Sequence, residues 1–214
     1  MIEQILLGGP LMIPLMLCSL VGIAVVYDRW FSFRQNRRID TRSLRAKVQA
    51  RLNEKNISGA ISECETTGGP VASVLLAGLR SYKQLSDKNE GTETMRLVVA
   101  QVMQDYGAQA MSVVGKRLDV LTTIGMAAPL LGMTGTVTGM IASFESLAAA
   151  GSSGAGGGAV ALGISEALIT TAAGLLIALA AVIPQSVFYR WSDEIELEIE
   201  ESTCELVEFI LTNH

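Results

Sequence analysis

The chain has 214 residues and a formal net charge of −5, with half of its residues hydrophobic, 17% charged and 5% aromatic. A mean hydropathy of +0.40 excludes an ordinary soluble domain, in which about a quarter of residues are charged, and no basic, aromatic-interleaved stripe points to nucleic acid. One histidine, His214, and three scattered cysteines, Cys18, Cys64 and Cys204, argue against a metal site, a disulfide framework, any cofactor and an enzyme built on His or Cys chemistry.

The first element in chain order is a charge-free run from Ile5 to Tyr27, which meets the roughly 20 residues a helix needs to cross about 30 Å of hydrocarbon. It carries Pro10 and Pro14, tolerated better in membrane helices than in soluble ones. No basic residue precedes it and it is too long for a signal-peptide core, so it reads as a retained span. Residues 1–30 therefore make a short outer segment and the first span.

Residues 31–117 repeat apolar positions at helical spacing. Leu44, Val48 and Leu52 form one stripe, and Ile57, Ile61 and Cys64 another. The run from Thr66 to Pro70 interrupts the pattern, and Pro70 suits the first turn of a helix carrying Val71, Val74, Leu75, Leu79 and Tyr82. After a polar loop with Asp87, Asn89 and Gly91, the stripe Met95, Val98 or Val99, Val102, Tyr106 and Val113 leads to Leu118 without a strong breaker, which predicts one helix continuing into the second span. These stripes are packing faces of a small bundle with no ligand site of its own.

The second span lies within 118–146, charge-free from Val120 to Phe144, and the third within 161–190, charge-free from Ala167 to Tyr189. Between them, the Gly-rich stretch of 147–160 reads as a flexible connector. Trp30, Tyr189 and Trp191 fall where interfacial aromatics belong. Residues 191–214 form an acidic helix with Ile195, Ile199, Leu206 and Phe209 or Ile210 along one side. Its acidic residues point around the helix, as on a solvated face, and neither converge on a metal nor suit a disordered tail. The basic segment from Arg34 to Arg51 is a packing partner of opposite sign, worth little where exposed. The fold class is all-α: an integral membrane protein whose three transmembrane helices extend into a cytoplasmic helical bundle.

All sixteen Lys and Arg residues lie between Arg29 and Arg117 or at Arg190. The positive-inside rule then puts the N-terminus and 145–165 outside, with 30–117 and the C-terminal tail in the cytoplasm.

The second and third spans are unlike a simple anchor. Gly132, Gly135 and Gly139 permit close helix approach. The threonines around them have an ordinary account, a bond back to a carbonyl one turn earlier. In the third span Ala167, Thr171, Gly174, Ala178 and Gln185 make one stripe of small or polar residues, suited to another helix or a narrow pore. Glu166 is the one ionisable residue near the outer part of the embedded region. An acid inside a span marks a functional site by default, but the charge-free run after Glu166 is long enough to cross alone, so a headgroup-layer position is equally open.

The run from Ala128 to Met140, APLLGMTGTVTGM, followed by Gly163 to Leu175, GISEALITTAAGL, closely resembles the signature of the MotA/TolQ/ExbB proton-channel family. The match is dense from about Leu118 to Tyr189. The resemblance implies a bacterial inner-membrane motor subunit, five copies forming a ring whose second and third helices line a pore. It implies single-span ExbD/TolR-type partners that bring an essential aspartate, and proton flow that drives TonB or TolA across the periplasm. Carried over by motif position, the pore threonines are Thr136 and Thr171, and the functional acid is Glu166. Three spans resemble TolQ and ExbB and not MotA, and the choice between those two stays open. Relatives often carry a proline shortly after the Gly174-Leu175 pair, whereas here position 180 is Ala and the proline is Pro184. The alternative is a non-conducting membrane scaffold assembled through its glycine faces and surrounded by lipid.

Overall fold

Among residues 9–37, 39–88, 90–150 and 156–213, which the computed structural model describes, all regular structure is helical: α1 (Met12–Asn36), α2 (Thr41–Asn53), α3 (Ile57–Thr67), α4 (Gly69–Asp87), α5 (Thr92–Gly115), α6 (Leu118–Ala150) and α7 (Gly156–Asn213). Three of these, α1, α6 and α7, contain stretches long and apolar enough to cross a membrane.

Local chemistry sets several boundaries. Asp40 caps α2 by accepting from the Ser43 amide at 3.1 Å, and Asn56 caps α3 by accepting from Gly59 at 2.8 Å, each satisfying an amide left over by the first helical turn. Gly68 and Gly69 take φ of +67° and +90°, a region that disfavours other residues, and Pro70 follows in the first turn of α4.

Two boundaries differ from the sequence expectation. The stripe leading to Leu118 does not make one helix with the second span, because α5 ends at Gly115 and Arg117 has a φ of +73°. Gly115 lowers the local helix propensity, and the Arg117 guanidinium is engaged by Asp28 at 2.8 Å. The stretch expected as a connector over 147–160 is helical up to Ala150 and again from Gly156. The start of the first span, Ile5 to Gly8, lies outside the described residues.

The chain divides into two compact units, Met1–Trp30 with Arg117–Val187, and Phe31–Lys116 with Phe188–His214. In the second, Leu79, Val74, Val99, Met103 and Ile210 are fully buried at the centre of one apolar core. A Cβ on Gly78 would meet Met103 and Leu206, so α4 runs close to both α5 and α7. The acidic helix does meet the basic segment: Arg45 contacts Glu201 at 2.7 Å and Glu205 at 3.3 Å. Phe33 and Phe188 stack, Trp191 is tilted against both rings, and the Arg37 guanidinium lies 5.1 Å from the Trp191 ring centroid. Cys64 is buried there, and burial, with Glu63 and Glu65 adding to it, pushes its thiol up to about 11.

In the first unit, Met12 and Leu15 of α1 are buried with Ala128 of α6 and Ala178 of α7. Arg29 and Arg117 share the Asp28 carboxylate, at 3.0 and 2.8 Å.

Candidate functional site

The seam between α6 and α7 is built from residues too small to hold the helices apart. A Cβ on Gly139 would come within 2.8 Å of Ala167 Cβ, one on Gly135 within 2.6 Å of Thr170 Cγ2, and one on Gly132 within 3.1 Å of Thr171 Cα. From the other side, a Cβ on Gly174 would stand 2.5 Å from the Ala128 carbonyl oxygen. Each step forward along α6 matches a step back along α7, so the two helices are antiparallel neighbours in one chain. In lipid, where apolar burial gives no drive to associate, such close backbone approach supplies the packing energy. Gly132, Gly135, Gly139 and Gly174 thus lie against the chain's own partner helix.

The hydroxyls divide into two kinds. Thr136 donates to the Met133 carbonyl at 2.7 Å, and Thr134, Thr138, Ser143 and Thr170 likewise bond back to carbonyls three or four residues earlier. Thr171 does not: its Oγ1 crosses the seam to the Gly132 carbonyl at 2.8 Å. Among the described residues nothing donates to that hydroxyl, so its lone pairs can accept from a further donor. Thr136 follows Gly135, which packs on Thr170, but its own hydroxyl bonds within α6.

Glu166 is half-buried, one turn before Thr170. Its carboxylate stands against Gly9, where φ is +69° and any Cβ would collide with it. It lines a cavity of about 260 Å³ with Pro10, Leu11, Thr138, Gly139 and Thr170. Among the described residues Glu166 makes no ion pair, and no hydrogen bond links it to Thr136 or Thr171. Thr171 remains within about 8 Å of its level along α7 by helical rise.

Sequence reading missed Ser143, whose Oγ occupies the space a Gly163 side chain would need. It also missed Thr122, which accepts from Gln185 Nε2 at 2.7 Å. The signal was available: Gly163, Ala167, Thr170, Thr171 and Gly174 repeat at three- and four-residue steps, as do the α6 glycines. No group of three or more His, Cys, Asp or Glu side chains that could hold a metal occurs among the described residues.

Residues 67–201 match the MotA/TolQ/ExbB proton channel family. The chain is 32% identical over 188 residues to an ExbB-like biopolymer transport protein of Synechocystis, covering 86% of this chain and 68% of that one. It is 29% identical over 191 residues to the biopolymer transport protein exbB1 of Vibrio cholerae, covering 88% and 79%. It is also 32% identical over 124 residues to the Tol-Pal system protein TolQ of Pseudomonas aeruginosa, covering 58% and 53%.

Proposed function

Since the chain belongs to the MotA/TolQ/ExbB proton channel family, membrane channel or scaffold proteins and not enzymes, we propose that it is the proton-channel subunit of an inner-membrane energy-transducing complex. In this reading several copies, five by family resemblance, surround single-span partners of the ExbD/TolR type. The proton motive force moves a TonB- or TolA-type protein that spans the periplasm, supporting import across the outer membrane or envelope maintenance. The N-terminus is periplasmic, and the bundle over 31–117 and the tail over 191–214 are cytoplasmic.

One observation carries the reading. From Val120 to Phe144 and from Ala167 to Tyr189 there is no Asp, Glu, His, Lys or Arg, yet hydroxyls occur along the seam, and Thr171 keeps acceptor capacity beside Gly132. A proton crossing hydrocarbon needs groups that exchange it. This chain offers Glu166 at one end and hydroxyls beyond it, so the titratable group in the middle comes from another chain. Thr136 and Thr171 would hydrate and hydrogen-bond a partner aspartate as it gains and loses its proton. The drive is adequate, about 2.3 kcal/mol per charge per 100 mV.

The scaffold reading draws on the Thr136 bond to Met133, the ordinary fate of an intramembrane threonine. Proton flux into vesicles holding the complex, purified with whatever partner accompanies it, separates the two. The Thr136→Val, Thr171→Val double variant assembles normally and loses flux if the hydroxyls carry protons. Absence of flux through the wild-type complex leaves the scaffold, and undiminished flux in the double variant rejects the threonine assignment.

A further inference from the structure

The stripe of α7 that carries Thr171 reaches Gln185 fourteen residues later, about 21 Å along the axis. Between those levels the seam is made by Gly132, Ala128 and Gly125 against Gly174 and Val182, with no polar side chain. At the far end polarity returns. Gln185 Nε2 donates to Thr122 Oγ1 at 2.7 Å, and Thr122 Oγ1 donates to the Leu118 carbonyl at 3.3 Å.

The bond from Nε2 to Thr122 turns the amide's NH₂ toward α6 and its oxygen away. That oxygen accepts no hydrogen bond among the described residues. Yet no buried side-chain nitrogen or oxygen lacks a partner there, so the Gln185 oxygen lies on accessible surface. An amide oxygen without a donor is strongly disfavoured among lipid tails, where no water can supply one. Gln185 lies four residues before Tyr189, where the charge-free run ends, at the depth where an aqueous mouth would begin.

We propose that Thr122 and Gln185 form the inner mouth of the proton path, a second polar layer beside the closed seam that water reaches from the side that carries the basic residues. Thr122 is the positioning residue, because its engaged hydroxyl sets the amide. Gln185 is the water-contacting one, and its outward oxygen receives hydrogen-bond donors, water and hydronium, in preference to anions. The proposal rests on the proton-path reading.

Water access tests it independently of proton flux. In a Cys18→Ser, Cys204→Ser background, with buried Cys64 retained, Gln185→Cys and Ile183→Cys are compared in the assembled complex in inside-out and right-side-out vesicles. The probe is a permanently cationic methanethiosulfonate reagent. The two positions share a depth but lie on different faces, and Ile183 is 57% exposed, as for a lipid-facing residue. Gln185→Cys should react at least tenfold faster than Ile183→Cys, from the side on which Cys204 of the unsubstituted chain is labelled. Thr122→Cys, on the opposite helix, should behave as Gln185→Cys and serves if that variant fails to assemble. Equal rates at 183 and 185, or no reaction at both 122 and 185, overturns the mouth. Rapid labelling combined with undiminished flux in the Thr136→Val, Thr171→Val variant retains the aqueous mouth and rejects the threonine relay. Lost flux with unlabelled 122 and 185 does the reverse. A Gln185→Leu variant adds a functional readout: proton flux should fall at least fivefold while Gln185→Glu, which keeps an outward oxygen, retains it. Equal flux in both variants counts against the role of the amide.

Discussion

Thr171 donates a hydrogen bond from its hydroxyl to the carbonyl of Gly132 across 2.8 Å, and Gly132 permits this because any Cβ there would lie 3.1 Å from Thr171 Cα. The glycine and the threonine are therefore one device: the missing side chain brings the helices close, and the close approach lets a short hydroxyl reach the facing backbone.

From that pair follows a separation between stability and activity. Interhelical hydrogen bonds in membranes average about 0.6 kcal/mol, so Thr171→Val should lower the melting temperature by no more than about 4 °C while abolishing energy-dependent function. Thr171→Ser should keep most of both. Thermal denaturation in detergent beside an energy-dependent uptake or envelope assay checks this, and a Val variant with wild-type activity refutes it.

Glycine substitutions should act first within the chain. The Cβ of Gly135→Ala meets the Thr170 side chain, which has rotamers to try, whereas that of Gly174→Ala meets the backbone carbonyl of Ala128 at 2.5 Å. Overpacking typically costs about 1–3 kcal/mol, so Gly174→Ala should destabilise more than Gly135→Ala. Protease susceptibility of the detergent-solubilised chain should rise in that order. The reverse order would mean that the α6–α7 seam is not the tight contact described.

In the second unit, apolar burial should outweigh charge. Leu79 is 0% exposed, and Leu→Ala in a packed core costs about 2–5 kcal/mol. Arg45 is 13% exposed but its acids, Glu201 and Glu205, are 61% and 46% exposed, so solvent screens the pairs and Arg45→Ala should cost less than about 1 kcal/mol. Chemical denaturation in 0.05 and 0.5 M salt distinguishes them. Only the Arg45 variant should approach wild type as salt rises.

Orientation is best read from Cys204. A thiol reagent that cannot cross the membrane should label Cys204, which is exposed, only when the cytoplasmic face is accessible, and a cysteine placed at Ser153, outside the described residues, only from the periplasm. Labelling of Cys204 in intact spheroplasts would invert the topology. Cys64 is uninformative because it is buried and its thiol is pushed up to about 11. It should stay unlabelled on either side at pH 8, and the sign is that reactivity rises only as pH climbs toward that value and the thiolate forms.

The spans, the helical class and the stripes of the second unit were legible in the sequence alone, since each rests on a local rule. Charge-free length is counted along the chain, and Leu44, Val48 and Leu52 meet the core because 3.6-residue periodicity puts them on one side whatever they pack against. The glycine spacing likewise announced a close helix contact. Tertiary structure alone decided what was on the other side of it: the small residues of α6 meet those of α7, Thr171 bonds across while Thr136 bonds back, Glu166 stands against Gly9, and Gln185 finds Thr122 sixty-three residues away. Two threonines in similar local sequence have the same helical propensity and the same hydroxyl. Which of them turns outward depends on the distance to a neighbouring backbone, and that distance is set by the packing of both helices together.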